Sequence, residues 1–335
     1  MNFQYPIETG LEPVDGEAAN LRAAWRELRA HMEDTGSLHS FNGPRSTSVL
    51  SAFRRFVSMF NLNNLPPPLP RLHDYLVART RDIALVEHRI YLPHLPPQFD
   101  GYRLVHLSDP HFDSLPGLED TISERLSGIH ADAMVITGDL VDRFYAPVEC
   151  YADPLKKILA SLCFKDGVFA VLGNHDSWKC VEILESLGIC VLINESAAIT
   201  RGGSTITVTG IDDPSYFFTQ EALRAMGNSS RNSTDEFKVL LAHSADLADV
   251  ASDQGYGLYL AGHTHGGQIC LPNGKALHVN LERCRDYHEG LWNHDGMAGF
   301  TSIGAGNSIL PYRLFKQGEV VILTLHRSQD TPSPK

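Results

Sequence analysis

The sequence predicts an α/β layered fold, on three observations. Short apolar runs recur between residues 83 and 325, each followed by a polar or glycine-rich loop, and runs of that length read as buried strands. Helix-compatible stretches separate several of them, and strands alternating with helices make layers around a shared core. The chain has 335 residues, 43% hydrophobic and 20% charged, enough for one large domain with an appendage.

Taken in order, Leu21, Trp25, Leu28 and Met32 recur at helical spacing and predict an amphipathic helix over roughly residues 16–33. Val49, Phe53, Phe56, Val57 and Phe60 form a second helical pattern, with Ser46 or Thr47 as N-cap. Pro66-Pro67-Pro68-Leu69-Pro70 then makes a stiff, extended break. Residues 1–80 are therefore expected to be a helical extension, residues 81–326 the main domain, and residues 327–335 a loose tail. Within the main domain the expected strands are Ile83–Leu92, Arg103–Leu107, Ala133–Thr137, Val168–Leu172, Thr205–Ile211, Lys238–Ala242, Gly257–Ala261, Phe300–Ile303 and Val320–Leu325. The expected helices are 117–129, 150–162, 178–187 and 244–252.

Composition excludes several classes. Lys plus Arg number 28 against 40 Asp plus Glu, a net charge of −12, and no Lys/Arg-rich run is present. A nucleic-acid backbone as main partner is disfavoured, and a nuclease with it. The apolar content excludes a disordered chain. No apolar run reaches the ~18 residues of a membrane-spanning helix. Met1–Glu8 lacks the basic and apolar regions of a secretory signal. The six cysteines (150, 163, 180, 190, 270, 284) contain no C-x-x-C pair and read as thiols, so a reducing cytoplasm is the expected compartment.

Five polar motifs share one position, just past the end of a predicted strand. They are Asp109-Pro110-His111, Gly138-Asp139-Leu140-Val141-Asp142-Arg143, Gly173-Asn174-His175-Asp176, His243, and Gly262-His263-Thr264-His265-Gly266-Gly267. In open α/β sheets the ligand site lies beyond the carboxyl ends of the strands, so the five are expected to converge. Carboxylate, amide and imidazole donors without cysteine suit manganese, iron or zinc and argue against a structural zinc cage. Two such ions can clamp both oxygens of an in-line displacement at phosphorus, and Asp139 is the natural bridging carboxylate. Asp286-Tyr287-His288 repeats the Asp-x-His pattern after no strand and is expected to be a surface loop.

This series resembles the calcineurin-like metallophosphoesterase superfamily over about residues 83–326. Gly-Asn-His-Asp and Gly-His-Thr-His-Gly-Gly-Gln are similar to its small bacterial phosphodiesterase-like subgroup. So are Leu92-Pro93-His94-Leu95-Pro96, Gly101-Tyr102-Arg103 and Gly210-Ile211-Asp212-Asp213-Pro214. The resemblance implies a four-layer αββα sandwich of two mixed sheets flanked by helices, with two divalent metal ions (Mn2+, Fe2+/Fe3+ or Zn2+). Asp109, His111, Asp139 and His265 would hold one ion, and Asp139, Asn174, His243 and His263 the other. His175 would donate a proton or hydrogen bond at the leaving oxygen, with Asp142 orienting it and Arg143 binding phosphate. Phe144 replaces the last glycine of the phosphoprotein-phosphatase motif and Asp176 its glutamate, which weakens a protein-phosphatase reading.

The implied activity is phosphoester hydrolysis of the phosphodiesterase type, by a metal-bridging hydroxide and without a covalent intermediate. Nothing in the motifs selects monoester, diester or pyrophosphate. The Phe53–Phe60 face, flanked by Arg54 and Arg55, either packs on the sandwich or lies in a membrane interface. In the second case the protein is peripheral on the inner face of the membrane and its substrate is lipid-linked. A relative that cleaves the pyrophosphate of UDP-diacylglucosamine gives that alternative its sharpest form. A non-catalytic scaffold is the remaining one, against which every expected ligand position is filled. Residues His278–His294, with Arg283, Arg285, His288, Trp292 and His294, are either a pocket wall or solvated surface.

Overall fold

A computed structural model describes residues 16–44, 69–160, 162–228 and 236–328. The predicted helix around Val49–Phe60, most of the proline break and most of the tail lie outside the described residues. Helix α1 spans Gly16–Thr35. Its buried face is not the predicted stripe: Met32 is buried and Trp25 half-buried, but Leu21 and Leu28 are exposed and Arg29 is buried in their place. A tiny hairpin follows, β1 (His39–Ser40) and β2 (Gly43–Pro44). Helix α2 (Leu69–Arg81) begins inside the expected proline break. Pro70 occupies its first turn, where a missing N–H costs nothing and the fixed φ suits the helix.

The main body runs β3 (Ala84–Leu92), β4 (Tyr102–Leu107), α3 (Leu118–Leu126), β5 (Ala133–Ile136), α4 (Glu149–Ala160), β6 (Val168–Ala170), α5 (Cys180–Ser186) and β7 (Ile189–Val191). It continues β8 (Glu195–Arg201), β9 (Ser204–Gly210), α6 (Gln220–Asn228), β10 (Phe237–Leu241), α7 (Ala248–Asp253) and β11 (Leu258–Ala261). It closes with β12 (Gly290–His294), β13 (Met297–Thr301) and β14 (Glu319–Arg327). Two six-stranded sheets result, β3-β14-β4-β5-β6-β7 and β12-β13-β11-β10-β9-β8. Both are mixed: β4 to β7 run parallel with β14 antiparallel to β4, and β9, β10, β11 and β13 run parallel between antiparallel edges β8 and β12.

Alternation along each strand divides the core. Leu104, Val135, Val239 and Leu260 point between the sheets, into one cluster with Ile206, Phe300 and Leu323. Val105, Met134 and Ile136 point outward, onto Ile122 of α3, Leu155 of α4 and Leu184 of α5. Leu240 and Tyr259 point outward from the second sheet, onto Met226 of α6 and Ala248 of α7. The central strands are thus buried on both faces, which is why they read as continuous apolar runs. The order of layers is helix, sheet, sheet, helix.

Besides the β1–β2 hairpin, three strands have no counterpart among the expected runs: β7, β8 and β12. All three are sheet edges. Along β8 and β12 only one residue in twelve is fully buried, so the apolar signal fades where the sheet meets solvent.

Candidate metal centre

The loops after β4, β5, β6, β10 and β11 converge. Asp109, His111, Asp139, His243, His263 and His265 are buried there, and Asn174 and His175 half-buried. Asp109, His111, Asp139, His263 and His265 all have positive φ, between 41° and 74°. Side-chain-bearing residues rarely adopt that conformation, and its clustering at one place marks backbone strain held by the surroundings. Close approach of the loops adds a second demand. A Cβ on Gly173 would overlap the Asp139 carboxylate, and one on Gly262 would overlap Ser108 Oγ and Asp109 Oδ2.

The polar atoms fall into adjoining groups. In the first, His265 Nε2 lies 3.5 Å from Asp109 Oδ1 and 3.2 Å from His111 Nε2. In the second, His243 Nε2 lies 3.1 Å from both Asn174 Oδ1 and His263 Nδ1. Asp139 Oδ2 faces both groups, 3.6 Å from His111 Nε2 and 3.3 Å from His243 Nε2. His243 Nδ1 donates to the Thr137 carbonyl at 2.7 Å, which turns Nε2 to the group. Burial lowers the pKa of this imidazole, but Asp139, Asp109 and Asp213 outweigh it and hold it well above the ordinary range, so an ion bound there would displace the Nε2 proton.

These donors fit divalent metal ions. Two imidazole nitrogens meeting at 3.2 Å need a shared proton or a cation, and His111 Nδ1 is buried without a hydrogen-bond partner, 3.9 Å from Asp142 Oδ1. Asp109, His111 and His265 form one set able to hold an ion, Asp139, His243 and His263 another, and His111, Asp142 and His175 a third that shares His111 with the first. Oxygen and nitrogen ligands without thiolate match hard to borderline dications. Burial pushes the Asp139 carboxyl up, but His243, His175 and His111 outweigh it and hold it well below the ordinary range. Burial depresses His265, with His111 and Arg313 adding to the effect, so its imidazole is kept neutral as a ligand must be.

His175 borders the centre. Its backbone N–H donates to Asp139 Oδ1 at 2.8 Å, and its Nδ1 lies 2.6 Å from the Asp142 main-chain carbonyl. The Asp142 carboxylate is 3.9 Å from that nitrogen; its Oδ1 accepts instead from Ser308 Oγ and the Ile309 N–H. Arg143 is exposed and its Nε donates to Asp113 Oδ2 at 3.0 Å. Asp286 and His288 sit at a short helical turn outside the metal-competent groups. In the same segment, Trp292 stacks on Tyr287 and bonds Thr301 Oγ1, which makes it part of the packing.

Several contributors carry no local signal in sequence. Asp176 is the exception, being in a motif: its carboxylate accepts from the N–H groups of Asp139, Leu140 and Gly173 and so laces two loops together. Asn280 Nδ2 lies 3.0 Å from His263 Nε2. Arg313 is buried and bonds the carbonyls of His265, Gly306, Ile303 and Gly304. Arg29, from α1, reaches the loop that bears Asn174 and His175.

Known proteins share this arrangement of sequence. Residues 102–267 match the model of the calcineurin-like phosphoesterases. The uncharacterized metallophosphoesterase YkuE of Bacillus subtilis is 30% identical over 258 residues, which is 72% of this chain and 85% of that protein. A transmembrane protein with metallophosphoesterase domain from Danio rerio is 28% identical over 272 residues, 76% of this chain but 60% of that protein. The solved structure of phosphopantetheinyl hydrolase PptH from Mycobacterium tuberculosis aligns with 61% of this chain and 89% of its own, at 12% identity and a TM-score of 0.39, too loosely to bear on substrate. No helix among the described residues is long and apolar enough to cross a membrane. The chain belongs to the calcineurin-like phosphoesterase family, and is a metal-dependent hydrolase of phosphoric esters.

Proposed function

We propose that the chain is a two-metal phosphodiesterase. The carrying observation is the position of Asp139, whose Oδ2 faces His111 on one side and His243 on the other. One ion would be held by Asp109, His111, Asp139 and His265, the second by Asp139, Asn174, His243 and His263; manganese, iron and zinc all suit that donor set. Bound there, the ions would supply Lewis acidity, lowering the pKa of the attacking water and neutralising phosphoryl charge.

The chain's own residues do the rest. With Nδ1–H donated to the Asp142 carbonyl, His175 keeps Nε2 as the ring nitrogen that would deliver a proton to the leaving oxygen. Asp142 thus orients His175 through its main chain, while its carboxylate pins the Ser308–Ile309 turn. Arg143, exposed at the rim, offers a guanidinium to a substrate phosphate once released from Asp113. Residues 81–326 carry the reaction in this reading, helix α1 of the 1–80 extension borders it, and residues 327–335 take no part. The compartment that fits is the cytoplasm.

A second reading, a lipid-linked diester or pyrophosphate such as UDP-diacylglucosamine hydrolysed at the inner membrane face, is favoured by one observation. Leu271, Leu277 and Phe315 are exposed on two loops joined by the Cys270 N–H to Leu314 carbonyl bond, and the first of these loops continues directly from His265. Apolar side chains there would meet acyl chains while the head group reaches the centre. The aromatic face around Phe53–Phe60 lies outside the described residues and adds nothing to this reading.

The test is hydrolysis of bis(p-nitrophenyl) phosphate beside p-nitrophenyl phosphate after loading with manganese, with Asp139→Asn as the blank. Diester turnover absent from the blank supports the proposal. A metal-loaded chain that turns over neither, and equally ignores a lipid-linked pyrophosphate in detergent, overturns the phosphodiesterase reading and leaves a hydrolase of narrow specificity or a scaffold.

A further inference from the structure

Helix α1 lies outside every motif, yet its central side chain is among the most deeply buried in the molecule: Arg29 is 1% exposed. A guanidinium is kept inside a protein only when its donors and charge are engaged. Arg29 Nε donates to Glu33 at 3.0 Å and Nη1 to Asp212 at 2.5 Å. Nη2 donates to two main-chain carbonyls, Asp176 at 2.7 Å and Gly173 at 3.2 Å. The guanidinium carbon stands 3.2 Å from the centre of the Phe217 ring.

Those two carbonyls are the ends of a four-residue loop whose inner members are Asn174 and His175. The same helix holds the next two residues: Glu33 accepts from Ser177 Oγ and the Trp178 N–H, both at 2.8 Å. Trp25 Nε1 donates to the other oxygen of Asp212 at 2.7 Å, which fixes the carboxylate that Arg29 grips. The Asp176 carboxylate restrains the loop from the inside, through Asp139 and Leu140; Arg29 restrains it from the outside.

We infer that Arg29 is a positioning residue for the reaction, holding both ends of the Gly173–Asp176 loop so that Asn174 and His175 face Asp139. The inference rests on the two-metal reading and makes α1 a working part of the centre. Only a planar fork can serve Glu33, Asp212 and two carbonyls together, so lysine is not an equivalent.

The test uses the full chain as wild type, Arg29→Lys and Arg29→Ala, with manganese titrated by calorimetry, diester kinetics, and hydrogen exchange on the metal-free proteins. The inference expects Arg29→Lys to weaken one of two binding steps by ~10–100-fold and leave the other unchanged, as loss of a residue supporting a ligand does. It also expects kcat to fall with KM held, and amide exchange to quicken at 173–178 but not at 262–267. Equal weakening of both steps, no weakening, or uniform exchange would overturn it. Arg29→Ala should show the same pattern more strongly; should it fail to fold, Arg29→Lys decides. A wild type that binds a single ion defeats the two-metal reading alone, and Arg29 is then judged by exchange: local quickening supports the brace, and none removes it.

Discussion

Two loops each carry two residues of the centre, and a buried arginine from outside the motifs grips each of them. The loop after β6 bears Asn174 and His175 and is held by Arg29, 144 positions before Gly173. The loop after β11 bears His263 and His265 and is held by Arg313, 48 positions after His265. The grips differ in charge. Arg29 is matched by two carboxylates, Glu33 and Asp212. Arg313 instead meets carbonyl dipoles and His265 Nδ1, and burial pushes its pKa down to about 10 against the pull of Asp109 and Glu319. Both ligand loops are therefore restrained from beyond their motifs, one by ion pairs and the other by dipoles, and of the two only the loop after β11 has positive-φ ligand residues, His263 and His265. Removing Arg29 would strand buried carboxylates, whereas removing Arg313 would strand carbonyls, the smaller penalty.

The largest expected effect comes from the residue the two halves share. Asp139→Asn should lose metal and diesterase activity together, measured by metal analysis of the dialysed protein beside the assay; full metal content would break the bridging assignment. Next is His175→Ala, which should keep its metal and lose ~10²–10⁴-fold in kcat, the usual worth of a general acid. The loss should grow as the leaving group becomes poorer, and a flat dependence would take His175 out of proton delivery.

Arg313→Met should weaken the manganese step that Arg29→Lys spares, by ~10–100-fold in calorimetry. If both variants weaken the same step, the two grips do not serve separate halves. The smallest effect is a pH dependence on the Arg29 side. Asp213 is buried next to Asp212, and burial raises its carboxyl from the usual 3.8 to about 6. Between those values the folded chain keeps a proton that the unfolded chain has lost. This group's contribution is thus fully present below about 4 and is lost as pH rises through about 6. Urea midpoints of the metal-free chain should therefore decline less across that window in Asp213→Asn than in wild type, and parallel curves would exclude Asp213 as the source.

How much was legible in the sequence depended on burial. β5 and β11 are apolar along their whole length, and β4 and β10 are so apart from Arg103, His106 and Lys238, because both faces are covered; their ends, and the ligands just past them, could therefore be located. The exposed edge strands β8 and β12 have no such run, whereas β7 is apolar but only three residues long. Helix α1 was readable as a helix but not in its orientation, since Leu21 and Leu28 mark an apolar stripe that the structure leaves in solvent. The helix turns instead on Arg29, whose partners at 173, 176 and 212 are invisible to any local pattern.

The sequence by itself determined the donor types, their order, their place after the strands and the absence of thiolates, because these follow from neighbours along the chain. Only the tertiary structure decided that the Asp142 carbonyl, not its carboxylate, meets His175 Nδ1, that Arg143 turns outward to Asp113, and that two distant arginines hold the ligand loops. Periodicity records which face of an element is buried. Which atom a buried donor finds depends on chain segments brought together by packing, and those contacts leave no repeat to read.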